Sequence, residues 1–81
     1  MSHYTVDYSS APSPEVKREM ALEDVRGYLG SVKRYEEVLN LVRSMIVLRW
    51  SDEAIRIGMS FVGIEGYPVT ALIEQAVEDL E

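Results

Sequence analysis

Residues 44–53 read SMIVLRWSDE, and the conformation of the first seven decides the fold. As a strand, Ile46, Leu48 and Trp50 face one way and Met45, Val47 and Arg49 the other, with β-branched and aromatic side chains suited to an extended backbone. As the end of a helix running from Ser31, the residues Val38, Leu41, Val42, Met45, Ile46 and Arg49 fall at the i, i+3, i+4, i+7 and i+8 spacing of one helical face. A short apolar run satisfies both periods, so periodicity leaves both readings open.

Outward from this stretch the pattern is firmer. Ser51 is placed to cap a helix whose first turn carries Asp52 and Glu53, charges that complement the N-terminal dipole. Ala54, Ile57, Phe61 and Ile64 form its expected apolar stripe, and Gly66 ends it. Pro68 opens a last helix with Val69, Leu72, Ile73, Ala76, Val77 and Leu80 toward the core. Upstream, Ser13, Pro14 and Glu15 make a helix-start signal. Val16, Met20, Val25, Tyr28 and Leu29 then recur at helical spacing, predicting a helix over about 14–29. Gly30 suits its C-terminal cap and Ser31 caps the next helix, with Val32, Tyr35, Val38, Leu39 and Val42 on one side. MSHYTVDYSSAPS, residues 1–13, has no apolar period and reads as a flexible leader.

The order strand, capping residue with acidic neighbours, helix, glycine turn, helix (IVLRW, SDE, GYPVT, ALIEQAVEDL) resembles the ribbon-helix-helix family of dimeric Arc- and MetJ-type regulators, which includes repressors, antitoxins and partition proteins. The resemblance covers about half the chain. It implies a homodimer whose paired strands enter the major groove of double-stranded DNA, with Met45, Val47 and Arg49 toward the base edges and Ile46, Leu48 and Trp50 packed beneath. It also implies that the amides near Val69 and Thr70, at the start of the last helix, hold a phosphate. Arg43 and Arg56 are further candidates for phosphate contacts. Two of the three outward strand positions, Met45 and Val47, lack the donors and acceptors that read bases. Pro68 removes one amide from the phosphate site.

The resemblance therefore divides the chain into a leader over 1–13, a two-helix extension over 14–43 that offers a site for a protein partner, and a ribbon-helix-helix unit over 44–81. The alternative is an all-α four-helix bundle. Charge opposes the DNA reading. Residues 1–43 carry six basic against seven acidic side chains, whereas residues 44–81 carry two, Arg49 and Arg56, against seven. A surface with that balance repels phosphate at long range. The alternative function is an acidic all-helical interaction module, an inhibitor or adaptor of a larger protein.

Other classes find little support. Without cysteine, and with His3 as the one histidine, neither disulfides nor a thiolate or imidazole metal site is expected. No cofactor motif appears, and neighbouring carboxylates such as Glu23 and Asp24, or Glu78 and Asp79, point in different directions on their helices. An enzyme is not expected. The longest aliphatic run, MIVL, is far short of a bilayer span, and residues 1–13 show no signal pattern, so a cytoplasmic protein is expected. Trp50 is read as the anchor of a small core.

Overall fold

The computed structural model describes residues 8–81. His3, Tyr4 and the rest of the leader over 1–7 lie outside the described residues. Four helices follow in order: α1 (Pro14–Leu29), α2 (Val32–Val47), α3 (Asp52–Ser60) and α4 (Tyr67–Leu80). Three of them start at a serine. Ser13, Ser31 and Ser51 have extended backbones, and their hydroxyls accept from the amides of Val16 (3.2 Å), Arg34 (3.1 Å) and Ala54 (3.1 Å). α4 has no side-chain cap and opens instead with Gly66 at φ 77° and Pro68 in its first turn.

The expected strand over residues 45–50 is not present, and the ribbon-helix-helix fold class is corrected to the all-α alternative. No strand occurs among the described residues. The reason lies in the α2 stripe. Tyr35, Leu39 and Val42 are buried, and Met45, three residues on, continues the same face into the core at 6% exposure. Extending the chain at Met45 would take that side chain out of the core and forfeit its burial.

α1, α2 and α4 pack on one another. α1 contributes Ala21, Leu22 and Val25, and α4 contributes Val69, Ala71, Leu72 and Ala76, all essentially inaccessible. α3 adds Ile55 and Met59, and Ile64 follows from the turn beyond it, so residues from both halves of the sequence share one core. Burying each large aliphatic side chain stabilises by about 1.5–3 kcal/mol. Tyr8 is also buried. Its hydroxyl donates to Asp24 Oδ2 at 2.7 Å, and its ring lies 5.4 Å from that of Tyr67, which ties the segment before α1 to α1 and α4. Arg18 reaches Glu78 at 3.2 Å and Arg43 pairs with Asp79, so α4 is pinned to α1 and to α2. No helix of the described residues is long and apolar enough to cross a membrane.

Candidate interaction surface

α2 ends in a turn that sets the direction of everything after it. The amide of Trp50 donates to the carbonyl of Met45 (2.9 Å) and that of Arg49 to Ile46 (2.9 Å), the two bonds of a Schellman motif. Arg49 occupies the left-handed position at φ 69°, where glycine is the usual residue. The turn after α3 repeats the motif with glycine in that place: Ile64 donates to Met59 (3.1 Å), Gly63 to Ser60 (3.1 Å), and Gly63 has φ 84°.

The first turn carries Trp50 back over α3. A Cβ at Gly58 would lie 3.2 Å from Met45 Cε and 4.0 Å from Trp50 Cζ3, so the missing side chain leaves room for both. Trp50 is not the core anchor expected of it, because at 47% exposure its indole rests on the rim of α3 instead of beneath it.

α3 has apolar residues on two sides, and the core takes only one. Ile55 and Met59, four apart, point inward. Of the stripe expected from the sequence, only Ile64 is fully buried. Ala54 is half-buried, while Ile57 and Phe61 face solvent at 55% and 85% exposure. Gly58 lies within one turn of Ala54 and Phe61, so the Trp50 ring borders this outward face and extends it. Val47 and Leu48, at the end of α2, are exposed as well.

On its other flank α3 meets the start of α4 across a shallow groove of about 260 Å³, lined by Glu53, Arg56, Ile57, Ser60, Glu65 and Val69. Arg56 is engaged through all three of its nitrogens. It donates to Asp52 Oδ2 (2.8 Å), to the Gly66 carbonyl (3.3 Å) and to Thr70 Oγ1 (2.6 Å). The Ser60 hydroxyl is turned back to the Ile57 carbonyl at 2.6 Å. The Glu53 and Glu65 carboxylates have no hydrogen-bond or ion-pair partner among the described residues.

The residues proposed for DNA are scattered by this fold. Met45 is inside the core, Val47 is exposed at the end of α2, and Arg49 is exposed in the turn. Arg43 is held by Asp79 and by Asn40 Oδ1. At the start of α4 the Val69 amide donates to the Gly66 carbonyl at 3.0 Å, and Val69 itself is buried. The Thr70 hydroxyl accepts from Arg56, so this oxygen and the Val69 amide are both used within the chain.

The Arg43 guanidinium, and after it the Gln75 amide, hold the Asp79 carboxyl below its ordinary 3.8. Burial pushes the Tyr35 phenol above 10.0, with Arg26, stacked 4.7 Å from its ring centre, opposing part of that rise. Among the described residues no group of three or more carboxylates or histidines is placed to hold a metal. No family model, curated protein or solved structure matches the chain.

Proposed function

We propose that this chain is an acidic all-helical protein-interaction module, an inhibitor or adaptor of a larger protein, which engages its partner through the outward face of α3. The observation that carries the reading is the pairing of Phe61 and Ile57, exposed on a helix whose opposite side is fully packed by Ile55 and Met59. Their exposure does not come from a lack of core: α3 is anchored, capped and closed by a glycine turn, while Phe61 at its C-terminal cap is still presented to water. Contiguous exposed apolar surface of this kind marks association sites, and aromatic residues dominate their energetics. The net charge of −6 and the engagement of Arg43 and Arg56 within the chain favour a protein partner over nucleic acid.

The test is a selection of helical peptides of unbiased composition that bind the chain, followed by hydrogen exchange on the complexes. Binders should protect the α3 amides, and Phe61→Ser should lose them with the melting temperature unchanged. Binders that settle elsewhere and ignore Phe61→Ser would refute the assignment, as would tight binding of duplex DNA at the same surface.

A further inference from the structure

Resting on the interaction-module reading, we infer that the partner segment is a basic amphipathic helix, laid with its apolar side on Trp50, Ile57 and Phe61 and a lysine or arginine in the groove between Glu53 and Glu65. The apolar face and the groove meet at Ile57, which belongs to both. A helix docked on Phe61 and Ile57 therefore brings its flanking side chains over the groove.

The charges left open there decide what those side chains are. Asp52 and Arg56 neutralise each other, and Arg56 also spends its donors on Gly66 and Thr70. Glu53 and Glu65 remain, two carboxylates beside an apolar floor of Ile57 and Val69, with no cation of the described chain paired to them. A cationic head on an aliphatic stem suits that lining, because the stem covers the floor while the head meets the carboxylates. Arg49, exposed in the turn beside Trp50, carries the opposite charge. A second copy of the chain is a poor occupant, since each copy carries −6 and would set two acidic surfaces together. The same sign repels an anionic membrane.

The experiment uses the full chain and its single tryptophan, which lies at the edge of the face and reports directly on what covers it. Two amphipathic helical peptides of equal length, one of leucine and lysine and one of leucine and glutamate, are titrated while Trp50 emission is followed, at low and high salt. The lysine peptide should blue-shift the emission and bind at least about tenfold more tightly than the glutamate peptide at low salt, with the gap narrowing as salt screens the charges. E53Q with E65Q should weaken the lysine peptide about fivefold. E15Q with E74Q removes the same net charge from α1 and α4, away from the groove, and should have little effect. All four glutamates are exposed, so none of these changes threatens the fold.

Equal weakening by both pairs would show attraction to net charge alone and overturn the groove. Tighter binding by the glutamate peptide would overturn the basic partner while leaving α3 as the interaction surface. If instead the chain self-associates in sedimentation, and Phe61→Ser makes it monomeric, a second copy occupies the face and the inference fails. No response of Trp50 to either peptide would remove the inference and the interaction surface together.

Discussion

The amide of Trp50 and the carbonyl of Met45 meet at 2.9 Å, and closing that bond holds Arg49 at φ 69°. A left-handed backbone costs an ordinary L-residue about 1–2 kcal/mol, because Cβ crowds the carbonyl oxygen. Arg49→Gly relieves that crowding, although glycine gives back some of the gain as extra freedom in the unfolded chain. The substitution should raise stability by up to about 1 kcal/mol, read as a higher urea midpoint with an unchanged slope. A lower midpoint would mean that the arginine side chain makes a contact worth more than the strain.

Gly63 and Tyr28 give the converse case. A Cβ at Gly63 would overlap Tyr28 Oη, which donates to the neighbouring Val62 carbonyl at 3.2 Å, and Gly63 is itself left-handed at φ 84°. Gly63→Ala should cost about 2 kcal/mol or more from the two effects together. In a Tyr28→Phe background the overlapping oxygen is gone, so the same change should cost measurably less. Strict additivity in this double-mutant cycle would show that the ring moves aside freely.

These two turns also explain what the sequence disclosed and what it hid. Ser13, Ser31, Ser51, Gly30 and Pro68 announce three helix starts, one stop and the opening of the last helix, and the structure uses each of them. The end of α2 was hidden because its left-handed position holds Arg49, so the stop signal that glycine would supply is missing from SMIVLRW, and the β-branched residues there suit a strand equally well. α3 misled for another reason. It has apolar residues at both Ile55/Met59 and Ala54/Ile57/Phe61, and a stripe on a short helix does not say which side the rest of the protein will cover. The outward face could have been found only by knowing where α2 stops and the chain turns, and that information lies in the obscured turn. Glu53 and Glu65, twelve positions apart, become neighbours of one groove because the turn at Gly63 redirects the chain between them.

Core and rim should separate cleanly in stability. Leu22 is fully enclosed, so Leu22→Ala should cost about 2–5 kcal/mol. Trp50→Ala removes a larger side chain but one about half in water, and should cost about 1–2 kcal/mol, below the 3–5 typical of a buried tryptophan. Denaturant melts of the two variants decide it. A larger loss from Trp50→Ala would place the indole inside the core.

The Arg43–Asp79 pair predicts the acid limb of the stability curve. Because the folded chain holds the Asp79 carboxyl below its ordinary 3.8, the ionised form is favoured by folding. That contribution is complete above the unfolded value and disappears as pH falls through the lower folded one. Asp79→Asn should therefore be less stable than the parent at neutral pH, with the gap closing below about pH 4. A gap that stays constant down to the lowest pH would show that the aspartate acts by packing or by hydrogen bonds indifferent to charge.

The Arg18–Glu78 contact joins the first turns of α1 to the last turns of α4, and the buried face of α1 rests in part on α4. During synthesis, α1 is made long before the helix that covers it. Ala21, Leu22 and Val25 must wait until α4 has left the ribosome for the helix that covers them, so this part of the core closes late. A stall between Ser60 and Tyr67 would hold the nascent chain in a form that proteases and chaperones can recognise by the open side of α1. Release of α4 would supply the missing cover and end that exposure.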